Sequence, residues 1–171
     1  MRVLRVVAPG AAGPLVALVR DGIVAFNAEL DIRLRFLAIV IEERELVVDG
    51  VEDAALRCEE AFGAYRPDVV ALHGEGPAAV AAATAAVRAG RVLVRVGAGR
   101  RDGPDADAAR AVDRLAHALV AFGDGPLAAL REEGLAGRTV ALPAPDAPGV
   151  GRDIIKALRS AHARGAGDAT C

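Results

Sequence analysis

Cysteine is scarce in this chain: Cys58 and Cys171 are the only two, far apart and outside any metal-ligand spacing. Two such thiols build neither a disulfide framework nor a metal site, so a reduced, cytoplasmic setting is expected by default. An excess of one charge is also missing. The 21 basic and 23 acidic residues leave a formal net charge of −2, with no large block of either sign. That balance argues against nucleic acid or an anionic membrane surface as a partner. Lysine is scarcer still, since every basic residue except Lys156 is arginine. Beside the abundance of Ala, Gly and Val, this reads as genomic background and not as phosphate recognition. Long hydrophobic runs are absent too. The apolar stretch from Val6 to Val19 is broken by Pro9, Gly10, Gly13 and Pro14, well short of the roughly 18 uninterrupted apolar residues of a membrane span. No membrane association is expected.

What remains has the make-up of a folded domain. The 171 residues are 53% hydrophobic and 26% charged, enough for one domain with its own core. That domain is expected over residues 1–163, with a flexible tail over 164–171.

Val3 to Ala8 predicts a buried first strand ended by Pro9-Gly10, with Pro14 well placed in the first turn of the helix that follows. Leu15, Leu18, Val19 and Ile23 recur at helical spacing up to about Asn27. Ile32 to Ile41 reads as the second strand, and Arg44 to Gly50 as a short strand or a loop. A helix over Val51 to Tyr65 stops before Pro67, a strand covers Val69 to Leu72, and an alanine helix runs from Pro77 to Ala89. Then come a strand at Arg91 to Val96, a helix at Asp105 to Ala118, a strand at Leu119 to Phe122, a helix at Leu127 to Glu133 and a strand at Thr139 to Leu142. A last helix, capped by Asp153, extends to about Ala163. Strands and helices alternate, which predicts a three-layer Rossmann-like domain: a parallel sheet with helices on both faces.

In such sheets ligands bind beyond the carboxyl ends of the strands, near the switch in strand order. Three segments occupy such ends. Pro9 to Gly13, with Gly10 and Gly13, can cradle a phosphate at the next helix's N-terminus, though a tight turn explains its glycines as well. In His73-Gly74-Glu75-Gly76 a histidine and a carboxylate follow a buried strand. Glu75 is a candidate general acid or base; the alternative is a packed core histidine and a helix-capping glutamate. Gly97-Ala98-Gly99-Arg100-Arg101 sets two arginines after the next strand, where they suit an anionic ligand or a solvated loop. His117 and His162 fall on helical segments and are read as structural. No metal or cofactor is expected.

These segments come in a recognisable order. Arg66-Pro67-Asp68-Val69-Val70-Ala71-Leu72-His73-Gly74-Glu75 resembles the "KPDLVLVHGD" segment of the non-hydrolysing UDP-N-acetylglucosamine 2-epimerases. Arg95-Val96-Gly97-Ala98-Gly99-Arg100-Arg101 stands where that family has "HVEAGLR", and Pro104 to Ala116 is similar to "PEExNRxxVDRLA". Ala121-Phe122 resembles "FAPT", and Leu127 to Gly134 resembles "NLLREG". The resemblance is specific mainly from Arg66 to Leu135 and implies the first half of a GT-B fold. It also implies a sugar-nucleotide site with Gly10, Gly13, His73, Gly74, Gly97 and Arg101 at the ligand and Glu75 and Asp105 as acids.

The departures bear on function. The arginine of the family's "GTRPEA" loop is missing from Ala8 to Gly13, and Glu75 replaces the aspartate of "HGD". Gly97 replaces the glutamate and Arg95 the histidine of "HVEAG", while Asp105, Ala106 and Ala108 stand for the two glutamates and the asparagine of the next motif. The family's second Rossmann domain, which supplies much of the nucleotide pocket, is not found in these 171 residues. Losing one general acid or base costs about 100- to 10,000-fold, so unaided 2-epimerase activity is not expected. The resemblance then implies a binding, dimerisation or regulatory subunit, as a homodimer or beside a full-length epimerase-like homologue. The alternatives are an isomerase-like enzyme on a UDP-sugar or other phosphorylated small molecule, its site completed by a partner chain, and a structural remnant with no function of its own.

Overall fold

The computed structural model describes residues 1–9, 11, 13–33 and 42–168. Strands and helices alternate as β1 (Arg2–Val7), α1 (Gly13–Arg33), β2 (Glu42–Val47), α2 (Val51–Tyr65), β3 (Val69–His73), α3 (Gly76–Arg88), β4 (Val92–Val96), α4 (Ala106–Leu115), β5 (Ala118–Phe122), α5 (Asp124–Glu132), β6 (Thr139–Leu142) and α6 (Val150–Asp168). A single 3₁₀ turn, Ala136–Arg138, precedes β6. All six strands are parallel, in the order β2-β1-β3-β4-β5-β6.

The central strands are buried on both faces, which is why they read as unbroken apolar runs. Their alternate residues feed two cores. Leu4, Val6, Val70, Leu72, Leu93, Leu119 and Ala121 meet α2, α3, α4 and α5. Val3, Val69, Ala71, Val94, Val96 and Val120 meet α1 and α6. The expected layering of helices on both faces therefore holds.

Close approach of helices rests on small residues. In α3, Ala79, Ala83 and Ala86 are fully buried, so α3 sits nearer the sheet and α2 than larger side chains would allow. On the other face α1 crosses α6 at Gly22, where an added Cβ would stand 2.7 Å from the Gly151 carbonyl oxygen.

Three expectations are corrected. Helix α1 does not end near Asn27 but continues to Arg33, so Ile32 and Arg33 are helical and not in a strand; residues 34–41 lie outside the described residues. The second strand is instead Glu42–Val47, which overlaps the segment from Arg44 read as a short strand or a loop; the apolar pattern marks it weakly because it lies at the edge of the described sheet and is largely exposed. Its place is set by charge: Arg5, buried in β1, pairs with Glu43 and with Glu45 (2.8 Å) on the neighbouring strand. Second, α4 stops at Leu115, because Ala116 turns extended and His117 N–H donates to the Leu93 carbonyl (2.8 Å), carrying the chain into β5. Third, α6 extends to Asp168, through the start of the segment expected to be a tail.

The strand order positions the site. From β1 the chain moves outward to β2, returns past β1 to β3 and then continues the other way. The order thus switches between β1 and β3, and the loops after both strands meet at the carboxyl edge of the sheet.

Candidate functional site

At the switch point two loops are bonded together. The Ala8 N–H donates to the His73 carbonyl (3.0 Å) and the Glu75 N–H to the Pro9 carbonyl (2.9 Å). Gly74, at φ 99°, allows this: a Cβ there would stand 2.4 Å from the Ala8 carbonyl oxygen. Its missing side chain makes room for backbone. Gly97, at φ 84°, faces Leu15 from the first turn of α1, with 3.2 Å between its would-be Cβ and Leu15 Cδ1. Gly13 begins α1 and nothing crowds it; Gly10 lies outside the described residues.

His73, Gly74, Glu75 and Gly97 converge with Leu15, Val96 and Arg100 around a hollow of only about 10 Å³. His73 is 1% exposed, and neither ring nitrogen has a hydrogen-bond partner among the described residues. Burial, reinforced by the Arg95 and Arg5 cations, lowers its pKa to about 3. It is therefore a neutral imidazole near neutral pH, one nitrogen an N–H donor and the other an acceptor.

Glu75 sits between two guanidinium groups. Its Oε1 is 3.9 Å from Arg95 Nη2 and 3.6 Å from Arg100 Nε. Arg95 lies wholly inside, an arginine in the otherwise apolar strand Val-Leu-Val-Arg-Val. Burial lowers its pKa, opposed by Asp113 and Glu75. Asp113, also buried, accepts the Gly99 N–H (3.0 Å) and an ion pair from Arg101 Nη1 (2.9 Å). Arg101 completes a two-pronged bond to Glu133, with both hydrogen bonds at 2.8 Å. The hydrogen bonds from Arg101 hold the Glu133 carboxyl below the usual range.

Arg101 ties the β4 loop to α4 and to Glu133 at the end of α5, and lines a separate pocket with Gly99, Gly125 and Pro126 rather than the hollow. Arg100 lines the hollow instead. Asp105 stands at the N-cap of α4, its carboxylate 3.4 Å from the would-be Cβ of Gly76, the first residue of α3. A negative charge there complements the positive end of α3. Both candidate acids therefore lie at the start of α3. Sequence reasoning paid little heed to Asp113; its signal was Arg95, because a charge in a buried strand requires an opposite charge nearby.

Beside the hollow, a cleft of about 330 Å³ opens toward Phe122, Pro126 and Pro145. Among the described residues no cluster of His, Cys, Asp and Glu suits a metal ion, and no helix is long and apolar enough to cross a membrane.

Fold and site define a Rossmann-like domain with a polar crevice at its topological switch point. No family model and no curated protein matches the sequence. Solved structures do match in fold. The Staphylococcus aureus MnaA–UDP co-structure aligns with a TM-score of 0.63 at 16% identity, covering 82% of this chain and 44% of that one. The UDP-GlcNAc 2-epimerase of Methanocaldococcus jannaschii gives 0.62 at 15%, covering 82% and 45%. The UDP-N-acetylglucosamine 2-epimerase of Rickettsia bellii gives 0.62 at 16%, covering 94% and 47%. The likeness establishes a shared fold, and the chain spans less than half the length of each.

Proposed function

We propose that this domain binds a sugar nucleotide or related phosphorylated small molecule at the β1–β3 crevice but does not epimerise it unaided. It serves as a binding, dimerisation or regulatory subunit in sugar-nucleotide metabolism, as a homodimer or beside a full-length epimerase-like homologue. The observation that carries this reading is the state of Glu75. Its carboxylate lies 3.9 Å from Arg95 and 3.6 Å from Arg100, at the mouth of a hollow of about 10 Å³, so in this arrangement it is paired with cations and is not free to act as a base. The fold shared with a UDP co-structure supports the ligand class. The domain corresponds to less than half the length of each of these matched structures.

Calorimetric titration with UDP-N-acetylglucosamine, followed by proton NMR for inversion at C2, tests both parts. Heat without turnover is expected. Turnover by the chain alone overturns the degenerate assignment, and absence of heat both alone and with a full-length homologue overturns the binding assignment. Light scattering tests pairing, and a monomer that retains no homologue in a pull-down removes it.

One observation favours a second reading, an isomerase-like enzyme completed by a partner chain: Glu75 and the Asp105 carboxylate both border Gly76. In that case Glu75→Gln or Asp105→Asn lowers turnover of the mixed complex by about 100-fold or more. Unchanged turnover removes both residues from the chemistry.

A further inference from the structure

The hollow beside Glu75 is closed by a side chain whose neighbours hold it only loosely. Arg100 lines both the hollow and the 330 Å³ cleft next to it. Its side chain is 43% exposed, and its Nε lies 3.6 Å from Glu75 and 3.9 Å from Asp102, charge-pair distances longer than a hydrogen bond. The adjacent Arg101 is held by contacts of 2.8 and 2.9 Å. The backbone between β4 and α4 is pinned as well. Gly99, at φ 85°, is so close to α5 that a Cβ would stand 2.4 Å from the Pro126 carbonyl oxygen. What can move here is the Arg100 side chain.

Inside the hollow, His73 is almost wholly buried and both its ring nitrogens are unpaired among the described residues. A space of about 10 Å³ admits at most a single water. A group that reached His73 from the cleft would supply the missing partner.

We infer that Arg100 is the latch and the anion-selecting residue of this site. A terminal phosphate or carboxylate of a small molecule in the cleft draws Arg100 away from Glu75, and its rotation joins hollow to cleft. The ligand's apolar body then lies on Leu15, Phe122, Pro126 and Pro145, while the neutral His73 meets its polar end. Glu75 keeps Arg95 as a partner when Arg100 leaves, so the exchange strands no charge. This rests on the binding reading above and adds the residue that selects the ligand.

The test uses the whole chain titrated with inorganic pyrophosphate, followed by the NMR signals of the arginine Nε–H groups. Wild type is expected to bind with the Arg100 signal moving. Arg100→Gln weakens binding by about tenfold or more, Arg100→Lys by less, and the exposed-site control Arg131→Gln has no effect. Glu75→Gln, which removes the competing carboxylate, tightens binding by about fivefold. Each variant is first checked for the wild-type amide spectrum. Equal binding by Arg100→Gln, no gain in both Glu75→Gln and Glu75→Ala, or no pyrophosphate binding at all overturns the latch. If UDP-N-acetylglucosamine gives no heat while pyrophosphate behaves as stated, the nucleotide reading fails and the latch stands. If the nucleotide binds wild type and Arg100→Gln alike, the latch fails and the nucleotide reading stands.

Discussion

Mild acid acts on this fold chiefly through His73. The ordinary histidine pKa of 6.5 falls to about 3 in the folded chain, because the ring is buried and the Arg95 and Arg5 cations oppose a third positive charge. The unfolded chain therefore takes up a proton that the folded chain refuses, and stability falls as pH drops below 6.5. With these two pKa values the loss between about pH 7 and pH 5 is about 2 kcal/mol. By about pH 3 the loss is about 4 kcal/mol, and only below that pH does it approach about 5 kcal/mol, comparable with the total stability of a small domain. Two kcal/mol corresponds to a melting temperature about 4–8 °C lower in a chain of this size. His73→Leu removes the titrating group while keeping a similar volume. Urea unfolding of both proteins at the two pH values isolates the effect, since all other titrating groups are common to both. Wild type is expected to lose about 2 kcal/mol more than the variant between pH 7 and pH 5. Equal losses would refute the reasoning, because they would mean that the folded chain accepts the proton and that His73 is not shielded.

The two neighbouring arginines are expected to differ sharply. Arg101→Ala leaves Asp113 and Glu133 without their shared cation and costs about 3–5 kcal/mol in urea unfolding, whereas Arg100→Ala stays within about 0.5 kcal/mol of wild type. Similar costs for both would show that the charge cluster is not what holds the β4 loop. Gly22→Ala puts a Cβ 2.7 Å from the Gly151 carbonyl oxygen, so α1 and α6 must separate, at a cost of about 1–3 kcal/mol. The same change at Gly63, where nothing lies within 4 Å, stabilises slightly through the better helix propensity of alanine.

Local pattern alone determined the class of this protein. Strands such as Val69 to His73 and Val92 to Val96 announce themselves because a central parallel strand must be apolar on both faces, and α2 ends at Tyr65 because proline at 67 cannot continue it. The glycine-bearing loops that gather at the carboxyl edge were legible for the same reason, since each follows a recognisable strand. Glu42 to Val47 was legible only in part, as a short strand or a loop from Arg44, because a strand at the edge of the described sheet needs no apolar face, and only a buried arginine on β1 reveals why its glutamates belong there. Nor does sequence distinguish Arg100 from Arg101. The two are adjacent and chemically identical, and what separates them is where Asp113, Glu133 and Glu75 arrive from other elements. Secondary structure follows from residues a few places apart, while commitment of a charged side chain depends on partners brought from distant parts of the chain. For that reason the order of strands and helices could be read along the sequence, and the division of labour at the crevice was decided only by the tertiary fold.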